Sequence, residues 1–325
     1  MGGNLGYLGL VFLWFGVASL PADPFRVPHS ALHISRMRPM LGTYVEITVT
    51  DFDRERADSA IEKGFVVVEE VDRLLSSHHA DSELNAINAA AGDRAIAVSP
   101  WTYECISAGV EIGRQSDGAF DITCRPILDL WGFVRKQYRF PTASELQSLL
   151  PLVNYKNVIL LINNITIKGR NSPREGQYRV GLVHPGMKLD VGGIGKGFAV
   201  DKAVEALQRT GVQSGLVRAG GDLRGFGPRP WRVGIANPSR PPQAVVEFEI
   251  QNEAVSTAGD YENFFEIHGR HYSHMIDPRT GRPACHRHSL SVRAPTCALS
   301  DAWSTALFVN PKIRVPDSIQ VIDTR

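Results

Sequence analysis

The 325-residue sequence carries almost no net charge. Its formal balance is +1, and no Lys/Arg cluster with interleaved aromatics interrupts it. The electrostatic footprint of a nucleic-acid binder is therefore missing. Cysteine is sparse: Cys105, Cys124, Cys285 and Cys297 form no C-x-x-C pair. Neither a zinc knuckle nor a thioredoxin-type centre is indicated, and the four read as ordinary buried thiols. There is no G-x-S-x-G elbow for a serine nucleophile. No internal repeat or low-complexity linker divides the chain. Charge is also absent from Met1 to Ala22, where "LGYLGLVFLWFGVASL" runs for 16 residues. A spanning helix needs roughly 20, whereas the apolar region of a signal peptide is shorter, and Ala18 and Ser19 are small enough for cleavage. No Lys or Arg precedes the run. Residues 1–30 are expected to be a signal peptide or N-terminal membrane anchor, and 31–325 one domain.

What is present suits a buried core, with 43% hydrophobic and 21% charged residues. "TYVEITVT" (43–50) alternates and is β-branched, so it reads as a strand. Over 55–75, Ile61, Phe65, Val68, Val71 and Leu75 recur every three or four residues, the period of an amphipathic helix. Further helices are expected over 100–118, 143–150 and 299–308. "KNVILLINNITIKG" reads as a hairpin turning at Asn163-Asn164, followed by a polar loop over 170–179. Residues 187–211 read as strand, glycine turn and helix, with Val200, Val204 and Leu207 buried and Gly211 closing the helix. Short strands are expected near 215–218, 231–235, 245–250 and 290–294. The mixture lacks regular βαβ alternation, which favours an α+β fold.

Several stretches hold groups that can do chemistry. In "LDVGGIGKGFAVD" glycines lie between strand and helix, where backbone N–H groups can approach a phosphate. It is not a Walker loop, because Asp190 and Gly197 occupy positions that need Gly and Ser/Thr. Nor is it a dinucleotide fingerprint, because Gly193, Gly195 and Gly197 are spaced two apart. A tight turn that only permits close packing explains the glycines equally well. Lys196 at a helix start opposes the dipole, which favours an anionic ligand. "VRAGGDLRGFG" with Asp222 and "AVSTAGDYENFF" with Ser256, Thr257, Gly259 and Asp260 are two more polar glycine turns. Together the three suggest a large polar ligand.

In "ALSDAWSTALFV", Asp301 and Thr305 are four apart and share one helix face. With backbone carbonyls they suit a hard cation such as Mg²⁺. The alternative is a helix start capped by Ser300, with Asp301 complementing the dipole. "YSHMIDPRTGRPA" (272–284) brings His274 and Asp277 into a turn with Pro278 and Gly281. Alone it reads as a polar hairpin end. His78-His79 and "CHRH" (285–288) lack a further metal ligand and read as loop histidines.

Taken in order with "MLGTYVEI", "SSHHADSELNAIN" and "DGAFDITCRPILDLWGF", these stretches resemble the ApbE family, the FAD:protein FMN transferases. The resemblance runs from about residue 40 to 310. It implies an α+β, T-fold-type body of mixed sheets and helices, with an FAD/Mg cleft between two halves. It implies Mg²⁺-dependent transfer of FMN from FAD, through a phosphoester bond, to a Thr or Ser of a partner flavoprotein, with release of AMP. Position by position, it implies an FAD-binding set of Leu41, His78, Ala119, Phe120, Asp121, Asp190, Lys196 and Ile276, to which Asp260 is added from its glycine turn. Metal ligands would be Asp301 and Thr305 with a backbone oxygen of Gly193 or Gly195. His274 would be catalytic, with Asp277 either orienting it or completing the metal shell. Leu41 stands where the family usually has Met, His78 where it has Tyr, and Gly195 where it has Ala. Members are usually exported, so a periplasmic location, free or anchored to the inner membrane, is expected. Two other activities fit the same residues: an FAD pyrophosphatase giving FMN and AMP, and a non-catalytic FAD-binding accessory protein.

Overall fold

Val45, Ile47 and Val49 alternate with polar neighbours, and a period of two sends all three to one face of a strand. The computed structural model, which describes residues 32–51, 53–162, 177–236, 244–284 and 289–322, buries all three completely. They lie on β2 (Thr43–Asp51), paired antiparallel with β1 (Leu32–Met40). Leu41 and Gly42 make the turn at φ +55° and +69°. The helical period expected over 55–75 becomes α1 (Arg54–Leu75), whose N-cap Asp53 accepts the Glu55 and Arg56 backbone N–H groups. Ile61, Phe65, Val68, Val71 and Leu75 are all buried on it. β1 escapes the alternation rule because its inward positions include arginines: Arg36 and Arg38 reach Asp58 and Glu62 on α1.

Serine caps open the next helices, Ser82 for α2 (Glu83–Ala89) and Ser99 for α3 (Pro100–Gln115), with β3 (Ile96–Val98) between them. α3 stops short of the expected residue 118. Asp117 and Gly118 take positive φ there, and the Gly118 N–H returns to the Gly113 carbonyl at 2.9 Å. α4 (Arg125–Trp131) and α5 (Ala143–Leu149) follow, the latter opened by a Thr142–Glu145 capping box. β4 (Val158–Ile162) is the first arm of the expected hairpin. Its turn at Asn163-Asn164 lies outside the described residues, and β4 pairs with β5 (Tyr178–Leu182), which also pairs with β3.

Residues 187–190 correct the strand expected there: they form no ladder. A side chain substitutes for a neighbouring strand, with Asn88 Oδ1 accepting from Leu189 N at 2.6 Å and Asn88 Nδ2 donating to Leu189 O at 3.1 Å. The glycine turn then enters α6 (Gly195–Arg209). Beyond it lie β6 (Ser214–Ala219), β7 (Asp222–Phe226), β8 (Trp231–Ala236), β9 (Ala244–Ile250) and β10 (Glu253–Gly259). Three short hairpin arms and a fourth follow: β11 (Phe264–Ile267), β12 (Arg270–Ser273), β13 (Ile276–Asp277) and β14 (Arg282–Pro283). The chain ends with β15 (Ser289–Ala294), α7 (Cys297–Val309) and β16 (Gln320–Ile322).

The main sheet is antiparallel throughout, in the order β1-β2-β6-β7-β10-β15-β16. Its two faces are distinguished within one strand. Val217 joins the core with Ile47, Phe65, Val204 and Leu207 under α1, α6 and α7. Its neighbour Leu216 faces the other way, onto Trp231, Val233 and Ile250 of the β8–β9 hairpin. A separate cluster joins Ile127, Trp131, Phe133, Leu146 and Ile276. Cys105, Cys124 and Cys297 are buried and free. Cys285, the "CHRH" histidines and the expected leader over 1–30 lie outside the described residues. Among the described residues no helix is long and apolar enough to cross a membrane.

The expected cap of the last helix is also corrected. α7 begins at Cys297 with Thr296 as its cap, and Ser300 sits inside, bonded to Ser256 Oγ at 2.7 Å. The start of α7 is instead clasped by α6. Asp201 Oδ1 and Oδ2 accept the Cys297 and Ala298 N–H groups, both at 2.8 Å. In return Asp301 Oδ2 accepts the Gly197 N–H at 3.1 Å. Each helix therefore supplies a carboxylate to free N–H groups at the other's first turn. Only glycine fits at 197, since a Cβ there would stand 2.3 Å from the Cys297 carbonyl oxygen.

Asp201 also pairs with Arg224 at 2.7 Å and is 6% exposed. Asp201→Ala would strand a half-buried guanidinium and two buried N–H groups, at a cost of about 3–5 kcal/mol. Urea unfolding should show that loss, with Asp58→Ala on the surface changing stability by less than about 1 kcal/mol.

Candidate active site

The glycine turn is shaped from within by Asp190. Its Oδ1 accepts the Gly192 N–H at 2.8 Å, and its Oδ2 takes Arg125 Nη1 at 3.3 Å. The turn passes so close to α7 that a Cβ on Gly193 would stand 3.2 Å from Thr305 Oγ1. Backbone of the turn and the Asp301–Thr305 face of α7 are thereby brought together. Lys196, next in line, reaches Asp222 at 3.2 Å. Asp222 opens β7 straight after the Gly220-Gly221 turn and is 3% exposed.

The charges here do not balance. Asp301 and Asp222 are both buried, and Glu262 stands near, against the single ammonium of Lys196. Burial, then Asp222, pushes the Asp301 carboxyl well above the ordinary carboxylate range, while Lys196 and the Gly197 N–H pull it back. Burial draws the Lys196 pKa down, but Asp222, Asp301 and Glu262 outweigh it and the net shift is upward. Among the described residues no three His, Cys, Asp or Glu side chains converge as a ready-made metal cage. The oxygen set of one carboxylate, one hydroxyl and turn carbonyls, in excess negative charge, fits a hard cation that takes its remaining ligands from water or phosphate.

His274 lies between β12 and β13. Its backbone N–H donates to the Asn263 carbonyl at 2.9 Å, and its Nδ1 lies 3.1 Å from the same oxygen. A carbonyl only accepts, so Nδ1 carries the proton and Nε2 keeps a lone pair. Burial lowers the imidazole pKa, opposed by Glu262 and the Asn263 carbonyl. The ring is therefore a neutral proton acceptor near pH 7.

One cleft with two lobes joins these groups. The larger, about 500 Å³, is lined by Leu41, His78, Asp190, Gly195, Lys196 and His274. The smaller, about 170 Å³, is lined by Ala119, Phe120, Gly193, Ile276, Asp301 and Thr305. Asp190, Lys196 and His274 border both lobes. Asp121 lines the smaller lobe, but its carboxylate is turned inward, accepting from Thr123 Oγ1 at 2.6 Å and Tyr155 N at 2.9 Å.

Two expected roles are corrected. Asp277 does not orient His274 and borders neither lobe. Its carboxylate pairs with Arg279 at 2.8 and 2.9 Å, and its carbonyl accepts the Thr280 and Gly281 N–H groups, so it builds the turn. Asp260 also borders neither lobe, and its carbonyl lies 3.0 Å from His271 Nε2. Sequence reasoning missed Asn263, Cys124, Leu128, Lys136 and Met275, all of which line the cleft. No residue spacing marks them: Cys124, Leu128 and Met275 add mainly apolar surface, and Asn263 meets His274 through its backbone carbonyl.

The same architecture is found in known proteins. The sequence profile of the ApbE family matches residues 41–323. The "FAD:protein FMN transferase" of Escherichia coli K12 is 30% identical over 282 residues, spanning 83% of this chain and 76% of its own. The protein of the same name from Vibrio cholerae is 31% identical over 294 residues, spanning 87% and 82%. The crystal structure of the ApbE protein of Thermotoga maritima superposes with a TM-score of 0.75 at 31% identity, covering 86% of this chain and 87% of that one. The apo flavinyl transferase ApbE of Pseudomonas stutzeri superposes at 0.72 and 28% identity, covering 86% and 85%. By a matched profile over most of its length and by its fold, this chain belongs to the ApbE family.

Proposed function

We propose that the protein transfers the FMN part of FAD to a Thr or Ser hydroxyl of a partner flavoprotein, releasing AMP. The observation that carries this is the wall shared by the two lobes. His274, Asp301 and Thr305 line the smaller lobe together, next to a cavity of about 500 Å³, a size that suits a dinucleotide. Names of relatives from Escherichia coli and Vibrio cholerae, both FAD:protein FMN transferases, support the same reading.

The acceptor oxygen attacks the phosphorus on the FMN side of the pyrophosphate. A phosphoester bond forms, the bridging P–O bond breaks, and AMP leaves with the bridging oxygen. His274 Nε2 receives the hydroxyl proton as a general base. Lys196, held by Asp222, directs positive charge along the boundary of the lobes. The glycine turn offers backbone N–H groups at the start of α6, where an anionic phosphate is favoured. Asp301, Thr305 and a carbonyl of Gly193 or Gly195 would hold Mg²⁺, which when bound neutralises charge on the phosphate oxygens. The apolar run in residues 1–30 supports export, with the acceptor met outside the cytoplasm.

Incubation with FAD, Mg²⁺ and a candidate acceptor should yield AMP and an acceptor heavier by one FMN in mass spectrometry. FMN released without any acceptor would mark hydrolysis instead, and FAD recovered intact would sink both catalytic readings. His274→Ala should still bind FAD but lose about 10²–10⁴-fold in kcat. Unchanged turnover would remove His274 from the chemistry. Asp301→Ala should raise the Mg²⁺ concentration for half-maximal rate by at least about tenfold, since a charged ligand is lost. An unaltered Mg²⁺ titration would refute that ligand.

The pH profile follows from His274. Its neutral form is needed, and burial places its pKa below the ordinary 6.5. Activity should persist as pH falls through 6.5 and decline only below it. An acid limb above the ordinary histidine value at saturating Mg²⁺, where the metal keeps Asp301 ionised, would contradict this assignment.

A further inference from the structure

The tautomer of His274 depends on a carbonyl in an irregular segment. Residues 260–263 lie outside the strands between β10 and β11, and the Asn263 carbonyl is held on the backbone side by the His274 N–H at 2.9 Å. Asn263 is further held by its own side chain. Its Nδ2 donates to the Phe133 carbonyl at 3.3 Å, and its Oδ1 accepts from the Tyr138 hydroxyl at 2.9 Å. The two bonds are mutually consistent. Because Phe133 O can only accept, the amide nitrogen must face it, which leaves Oδ1 for Tyr138.

Tyr138 is itself held in place. It lies on the connection between α4 and α5, stacked on Phe265 with centroids 5.1 Å apart and edge-on to Phe133 at 5.9 Å. Phe265 packs in turn on Trp131 at 6.3 Å. The aromatic cluster thereby couples the α4–α5 connection to the β11–β12 hairpin, and Asn263 is the junction.

We propose that Tyr138 and the Asn263 side chain are positioning residues for His274, aiming the Asn263 carbonyl so that the imidazole carries its proton on Nδ1 and presents Nε2 to the cleft. Neither residue transfers a proton to substrate. Partial burial raises the Tyr138 phenol above its ordinary value, so it stays a donor through the working pH range. The charged groups facing His274 are Glu262 of the same segment, Lys196 of α6 and Asp190 of the glycine turn. They influence how readily the ring gains a second proton. They do not select which nitrogen holds the first. The Asn263 carbonyl does that.

The consequence for rate rests on the transferase reading, while the tautomer does not. The decisive variant is Tyr138→Phe, which keeps the ring and deletes only the hydroxyl. The full chain, labelled with ¹⁵N-histidine, gives ring-nitrogen signals for His274, assigned against His274→Gln. Wild type should show Nδ1 protonated and Nε2 bare. Tyr138→Phe should shift both signals toward a tautomer average. It should lower kcat about fivefold, the scale of one lost hydrogen bond, with KM for FAD within about twofold, and move the acid limb of the pH profile. Asn263→Ser, which keeps the backbone carbonyl but removes both side-chain bonds, should give the same averaged spectrum. Phe140→Leu is the packing control: Phe140 meets Trp131 edge-on but bonds to neither residue, so its spectrum and rate should match wild type.

Identical His274 nitrogen signals in wild type and Tyr138→Phe would overturn the proposal. So would equal effects in Tyr138→Phe and Phe140→Leu, which would reduce the role to packing. Should wild type transfer no flavin, the transferase reading falls, and the nitrogen spectra still decide the positioning role.

Discussion

The reciprocal clasp between α6 and α7 is the constraint on which the site depends. Helix starts carry free N–H groups and partial positive charge. Here two such starts lie against each other, and each is met by a carboxylate from its partner. The arrangement is possible because Gly197 has no side chain to hold the helices apart. Once the clasp is closed, the glycine turn ahead of α6 has nowhere to go except across the Asp301–Thr305 face. The proximity of turn backbone and α7 oxygens follows from packing, before any ligand is considered.

The clasp only partly offsets what makes Asp301 a poor carboxylate, which is first its burial. One of its oxygens is committed to the Gly197 N–H, and Asp222 and Glu262 crowd it with like charge. A fold that required only stability would replace such a group with an apolar one. Its burial beside Asp222, with one lysine between two carboxylates, gives the cleft a local deficit of positive charge. The larger lobe is different in character, with Leu41, Leu75 and Leu84 along its walls. Ser76, Ser77, His78 and His79 add polar groups to those walls.

Periodicity made α1 legible, because its buried residues recur at helical spacing over more than three turns, whereas α6 and α7 are buried almost all round. It failed for α4, whose seven residues include a proline and span two turns at most. It failed for β10 because Ser256, buried and polar, satisfies itself on Ser300 across the core. Residues 187–190 looked like a strand by composition, but pairing is a property of neighbours and the neighbour is a side chain. In the site, Asp301 and Thr305 were visible as residue types with the right spacing, and His274 only through the family resemblance. Asp277 was misread because a carboxylate three residues from a histidine suggests a partnership, whereas Arg279 two residues on competes for it locally. Asn263 was invisible, since what it contributes to His274 is a carbonyl that every residue possesses.

The Asn88 carboxamide that grips Leu189 has a bearing on how this site can vary through evolution. A strand held by a ladder can slip by two residues and keep its bonding pattern. A single amide that takes one N–H and one C=O recognises one residue only, so the chain is indexed at Leu189 like a tape at a pin. Insertions before the turn at 183–186 leave that index untouched. A residue inserted between 190 and 194 would lengthen the short span from the pin to α6 and lift the turn off Thr305. Length variation among such chains should therefore collect on the N-terminal side of Leu189, leaving the five-residue step into α6 constant in length even where its side chains change.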